Sequence, residues 1–271
     1  MWKWETEKNP KGVVVIIHNI LEHHGRYAWI ITRLRRDGYH VVMGDLPGQG
    51  QTSRVNKGHI DNFNQYQETV LEWIEFAEEY HLPVFLLGVG LGGLIATSLL
   101  EEVNLRLEGL ILISPLYGFQ NSVNTRKNFL ASGLSSISKD AKFDMNIPIE
   151  DLTQDETVIK DTKTDALMVH KVSFNWYKSI IEEMKSTMEN ISKMKNVPIL
   201  LMYSDADKLA DVDQIKAFKD EVVTDELYVK NWKTLYHELQ NEPERDNVLY
   251  YIESFMNNRL NYVGLVTNDK K

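Results

Sequence analysis

The sequence predicts an α/β protein: a mainly parallel sheet of about eight strands, helices on both faces, and a helical insertion over the strand ends. Three observations carry this expectation. Short β-branched runs alternate with amphipathic helical stretches, the order that a crossover-connected parallel sheet needs. The alternation breaks once, between Leu116 and about Met194, and then resumes. One apolar strand, from Val84 to Gly88, runs straight into a glycine-rich turn that opens a helix.

Each element follows from local composition. Val13–His18 is a β-branched run of the kind buried in a parallel sheet. Tyr27–Arg36 has helical character and Gly38 closes it; Tyr39–Gly44 is the next strand, ending in Asp45-Leu46-Pro47-Gly48-Gln49-Gly50. Phe63–Tyr80 reads as an amphipathic helix, with Pro83 on its far side. After the strand Val84–Gly88 come the helix Leu91–Glu102 and the strand Gly109–Ser114, which Pro115 ends. Strand character returns at Ile199–Ser204 and Glu226–Val229, with a helix around Asp213–Glu221 between them. Pro243 suits the first position of a last helix reaching about Asn258. Ahead of Val13 only Trp2–Glu7 is a strand candidate. The expected organisation is a core over residues 1–115 and 195–258, a helical cap over 116–194 and a frayed tail over 259–271.

Composition narrows the function. The 271 residues suit one domain with an insertion, and 43% hydrophobic residues suffice for a sizeable core. A formal net charge of -9 argues against a nucleic-acid surface, which needs clustered Lys and Arg. Apolar runs such as Val13–Ile17 fall far short of the roughly 20 residues that span a bilayer. The N-terminus, Met1-Trp2-Lys3-Trp4-Glu5-Thr6-Glu7, carries no apolar export core, so the cytoplasm is the expected location. The chain has no cysteine, which removes disulfides, thiol nucleophiles and thiolate metal sites. No histidine pair has ligand spacing with supporting carboxylates, so no metal is expected.

The segment Gly88-Val89-Gly90-Leu91-Gly92 has the frame of the nucleophile elbow, G-x-S-x-G, in which a strand turns sharply into a helix. Its apex is Gly90 where the frame calls for serine. With this elbow, four further stretches stand in order: His18-Asn19-Ile20-Leu21-Glu22-His23-His24-Gly25-Arg26-Tyr27, Gly38–Asp45, Asp205-Ala206-Asp207-Lys208-Leu209-Ala210-Asp211, and Tyr236-His237-Glu238-Leu239. Together they resemble the α/β-hydrolases of the monoglyceride-lipase and bacterial lysophospholipase branch over nearly the whole chain, least in the cap and tail.

The resemblance implies the α/β-hydrolase fold and a site built from Gly90 at the nucleophile position, Asp207 as the acid and His237 as the base. Asp205 is a rival for the acid; motif register favours Asp207. Oxyanion-stabilising N–H groups fall on Ile20 and Leu91. The chain departs from the family at Asn19, where glycine is usual, and at Val89 and Leu91, where histidine and methionine are usual. Asparagine tolerates left-handed backbone, which would preserve the loop, but its side chain can crowd the oxyanion site. Hydrolysis of this kind needs no cofactor, and the implied ligand is an acyl lipid or small ester, with peripheral membrane contact through the cap.

Other residues have plainer readings. Ser114 and Ser98 are poor substitutes for the missing hydroxyl. His18 and His59 match structural positions, and His23 and His24 lie near the expected site mouth. His40, His81 and His170 read as surface or packing residues. Glu22 and Arg26, four apart, suit a local ion pair. The glycines of Asp45–Gly50 are backbone devices, since the spacing and lysine of a phosphate-binding loop are absent. Phe119, Phe129, Phe143, Phe174, Trp176 and Tyr177 are candidates to line an acyl channel and equally to pack the cap on the core. Three readings of function remain open. They are a catalytically impaired lipase-type protein, an ester hydrolase using another nucleophile or water, and an engineered Ser-to-Gly variant of an active lipase.

Overall fold

A computed structural model describes residues 1–52, 55–120 and 139–262. Its sheet has seven strands: β1 (Trp2–Trp4), β2 (Gly12–Ile17), β3 (Tyr39–Met43), β4 (Val84–Val89), β5 (Gly109–Ile113), β8 (Ile199–Ser204) and β9 (Leu227–Trp232), in the order β1-β3-β2-β4-β5-β8-β9. Only β1 runs antiparallel, paired with β3; the other six are parallel. The expected count of about eight therefore becomes seven among the described residues. The stretch ahead of Gly12 supplies a single three-residue strand, because Pro10 and the polar run before it offer no further ladder.

The apolar runs are continuous because both faces of the sheet are covered. Alternate residues feed two separate cores. Val13, Val15, Ile17, Leu86, Leu110, Leu112, Ile199 and Leu201 face one side. There they meet α2 (Asn64–Glu78), α3 (Leu91–Glu102), α5 (Phe174–Asn190) and α6 (Val212–Glu221). Val14, Ile16, Val41, Phe85, Leu87, Ile111, Ile113 and Met202 face the other. Their partners are α1 (Ala28–Arg36) and α7 (Arg245–Tyr262). Helix α3 is buried almost all round, as a helix wedged against the sheet centre must be.

The stretch between β5 and β8 is less purely helical than its composition suggests. It holds β6 (Lys142–Asp144) and β7 (Lys171–Ser173), paired antiparallel in their own two-stranded sheet, as well as α4 (Glu156–Thr164) and α5. Trp176, Ile180 and Met184 of α5 enter the same core as α3, which fixes this region to the sheet. The last helix is also displaced from expectation. It opens at Arg245, two residues beyond Pro243, and continues past Asn258 to Tyr262. Arg259, expected in a frayed tail, is helical and paired to Glu226 at 2.5 Å and Glu108 at 3.2 Å.

Candidate active site

The site lies where loops leave the carboxyl ends of β2, β4, β8 and β9, the usual position for a site in an open parallel sheet. The turn at its centre is one residue long. Val89 ends β4, Leu91 begins α3, and Gly90 between them has φ 51° and ψ -111°, a conformation that costs a side-chain-bearing residue about 1–3 kcal/mol. The turn can be this tight because Gly92 lets α3 approach β2: a Cβ there would stand 2.2 Å from the Ile17 carbonyl oxygen. Backbone bonds hold the apex. The Gly90 N–H donates to Ile113 O at 2.9 Å, and its carbonyl accepts from Gly93 N at 3.0 Å and Leu116 N at 3.0 Å.

His237 and Asp207 arrive from the loops after β9 and β8. His237 is fully buried, and its Nδ1–H donates to Asp207 Oδ2 at 2.9 Å, with Oδ1 at 3.1 Å. The carboxylate is itself fixed, since Oδ1 accepts from the N–H groups of Leu209 at 2.8 Å and Ala210 at 2.9 Å. Asp205, the rival acid, turns away to Lys233 at 2.6 Å and Lys216 at 3.3 Å. Burial alone would lower the imidazole's pKa. The carboxylate of Asp207 in contact, with Glu238 and Glu22 behind it, outweighs that and raises it above the ordinary histidine value. The other ring nitrogen, Nε2, is buried with no hydrogen-bond partner. It lies 3.0 Å from where a Cβ on residue 90 would stand.

Asn19 is the residue whose importance the sequence understated. Its side-chain Oδ1 accepts the Leu91 N–H at 3.1 Å. The same oxygen would lie 1.8 Å from a Cβ at position 90. The carboxamide thus fills the space a side chain at the apex would need. The expectation that asparagine serves here by adopting left-handed backbone is not met. In this loop that conformation falls on Leu21, φ 64°, and Asn19 is absent from the positive-φ residues. Ile20, the other expected oxyanion residue, follows Asn19 in the loop and lines a small crevice beside it.

Beneath the loop lies a buried charge cluster. Arg26 bonds Glu22 at 2.7 Å and Glu238 at 2.5 Å, and the Asn19 N–H donates to Glu22 Oε1 at 2.8 Å. Burial, with Glu238 adding to it, raises the Glu22 pKa, and Arg26 opposes both. His18 is structural. Burial lowers it to about 4, so the neutral ring donates from Nδ1 to Asn19 O at 2.7 Å and accepts the Leu46 N–H on Nε2 at 2.9 Å.

Residues 8–244 match the hydrolase family described as serine aminopeptidase, S33. The chain belongs to this family. The chain is 41% identical over 256 residues to the phospholipase YtpA of Bacillus subtilis, covering 94% of this chain and 98% of that one. It is 26% identical to a monoacylglycerol lipase of Mycolicibacterium smegmatis over 93% of this chain and 90% of the relative. The crystal structure of Paleococcus ferrophilus monoacylglycerol lipase superposes with a TM-score of 0.83 at 23% identity, covering 95% and 98% of the two chains. A soluble variant of the Saccharomyces cerevisiae monoglyceride lipase, solved with a substrate analogue, gives 0.86 at 18% identity over 95% and 90%. The architecture is the α/β-hydrolase fold.

The remaining candidate residues sort cleanly. Ser98 on α3 accepts from the Gln67 carboxamide of α2 at 3.1 Å. Ser114, at φ 43° after β5, is buried with its hydroxyl unpaired, and neither serine bonds His237. His59 bonds Ser173 at 2.7 Å and His23 bonds Asp165 at 2.7 Å, both tying the core to the region between β5 and β8. Trp176 donates to Tyr66 at 2.7 Å, and Tyr177 packs against Phe119 and Phe143. Phe129 lies outside the described residues. Among the described residues, none of these aromatics lines the crevice of about 50 Å³ at Ile20, which is formed with Leu21, Met145, Leu152, Val169 and Leu209. A larger cavity, about 530 Å³ between β9 and α7, contains no site residue. Among the described residues there is no cluster of metal-ligating side chains, and no helix is long and apolar enough to cross a membrane.

Proposed function

We propose that this member of the S33 family is a catalytically impaired lysophospholipase- or monoacylglycerol-lipase-like protein that binds acyl lipids or small esters without hydrolysing them at a lipase's rate. One observation carries the reading: the elbow is formed and faces His237, but its apex is Gly90, with no hydroxyl to attack an ester. In this reading Asp207 holds the imidazole with Nε2 towards the apex, and the Leu91 and Ile20 N–H groups are the oxyanion donors. In the same reading, the described residues 139–194 serve as the cap over the site. Losing the serine of such a triad costs roughly a million-fold in turnover, about 8 kcal/mol of barrier. Glycine relieves only about 1–3 kcal/mol of strain at the turn. Chemistry loses far more than stability gains.

The intact His237–Asp207 pair favours a second reading, slow hydrolysis by a water that His237 deprotonates; general-base help is worth roughly 10²–10⁴-fold. A fluorophosphonate probe with the purified protein tests the main reading. No covalent label is expected, together with saturable binding of dodecanoate by calorimetry. A label on any residue of the unaltered chain would mean that another nucleophile operates.

A further inference from the structure

Within the reading of a lost nucleophile, the position of Asn19 goes further. We propose that Asn19 is a built-in occupant of the oxyanion site, matched to Gly90, so that the site is closed twice: once by the missing hydroxyl and once by a carboxamide standing where an acyl carbonyl would bind. Asn19 Oδ1 is a carbonyl oxygen, and it accepts the Leu91 N–H at 3.1 Å as a bound ester's oxygen would. The donor on Leu91 fixes which end of the carboxamide faces it.

The match with Gly90 is steric. A Cβ at position 90 would sit 1.8 Å from Oδ1 and 2.4 Å from Cγ of Asn19, far inside contact distance. The carboxamide in this position and a side chain at the apex exclude one another. Asn19 cannot readily swing aside by moving its backbone. Its N–H is tied to Glu22 at 2.8 Å and to the Tyr27 hydroxyl at 3.1 Å, and its carbonyl accepts from His18 at 2.7 Å. The residue is 1% exposed. Backbone geometry gives no separate reason for asparagine, since its φ is not in the left-handed region. A carbonyl- or carboxylate-bearing acyl ligand therefore competes with Asn19 for the Leu91 N–H and for the space before His237 Nε2.

Three variants test this: Gly90→Ser, Asn19→Ala, and the two combined. In the phosphonylation reaction the introduced hydroxyl oxygen bonds to phosphorus, the P–F bond breaks with loss of fluoride, and the hydroxyl proton passes to His237 Nε2. The combined variant is expected to label, and to cleave p-nitrophenyl butyrate at least about 100-fold faster than Gly90→Ser alone; Asn19→Ala alone stays unlabelled. A Gly90→Ser protein that labels and turns over as well as the combined variant overturns the proposal, and leaves the missing hydroxyl as the whole cause of inactivity. So does a folded combined variant, checked by near-ultraviolet circular dichroism, that gains nothing. A second measurement avoids any folding defect from the new side chain. Asn19→Ala with Gly90 retained is expected to bind dodecanoate at least about tenfold more tightly than the parent, and equal affinity overturns the proposal.

Discussion

His237 shows how one residue's titration reports the site. Its imidazole is buried, which lowers the pKa, and the touching carboxylate of Asp207 more than reverses that, helped by Glu238 and Glu22. A histidine whose folded pKa stands above its unfolded value contributes stability that is fully present below about pH 6.5 and disappears as pH climbs through the folded value. Asp207→Asn removes the largest raising influence. The His237 pKa, followed by nitrogen-15 NMR, should fall, and stability should then decline less between neutral and alkaline pH; an unmoved titration would place the controlling charge elsewhere. That Asp207, and not Asp205, meets His237 was legible as what the family resemblance implies, through motif register and chain order. The part played by Asn19 was legible only as a departure from the family's glycine. Nothing in the linear order shows that its carboxamide points at residue 90 or bonds Leu91, since 72 positions separate the two partners.

The loop after β2 gains its shape from charge as much as from packing. Glu22 and Arg26 are a readable pair four residues apart, but the third member, Glu238, comes from the far end of the chain, beside His237. Among the described residues, Arg26 is the only cation in contact with these two buried carboxylates. Replacing one member of a buried pair strands the others, at a cost of about 3–5 kcal/mol. Arg26→Ala should show that loss in urea unfolding, and the loss should be larger at pH 8 than at pH 5. The sign follows from Glu22, whose folded pKa already lies above its ordinary value through burial and Glu238. Folding then favours the protonated form, so stability drops as pH rises through the shifted value, and removing Arg26 enlarges the shift. A pH-independent loss would mean that packing of the arginine stem, not charge, holds the loop. The same range problem explains the misplaced last helix. Pro243 is a sound local start signal, yet nearby Glu242, fully buried, accepts from the backbone of Tyr236 at 2.5 Å and Gln154 at 3.0 Å, contacts that local propensity does not include.

Across the molecule, short continuous β-branched runs foretold a parallel sheet with both faces covered, and five of its six parallel strands are buried at every position. The short antiparallel edge at Trp2–Trp4 was faint because three residues carry almost no pattern. In the region between β5 and β8, expected as a mostly helical and strand-poor cap, β6 and β7 gave no signal because they are equally short. That region is stitched to the site loop by the Val169 N–H on Leu21 O and the Glu238 N–H on Leu152 O, both 2.8 Å. The crevice they border, about 50 Å³, is far below the roughly 300–1,000 Å³ of ligand pockets. On the proposed reading, an acyl ligand enters by parting the two layers. Amide exchange at Val169 should speed up under saturating dodecanoate, and unchanged exchange would put the ligand elsewhere. The Asn19–Gly90 fit also bears on descent. Regaining serine first meets a collision, and discarding asparagine first leaves a buried N–H without its acceptor, a penalty of about 1–3 kcal/mol with no compensating gain in turnover. On that proposal a lineage carrying both residues stands on a local peak, where each single change is a loss and only their sum is a recovery.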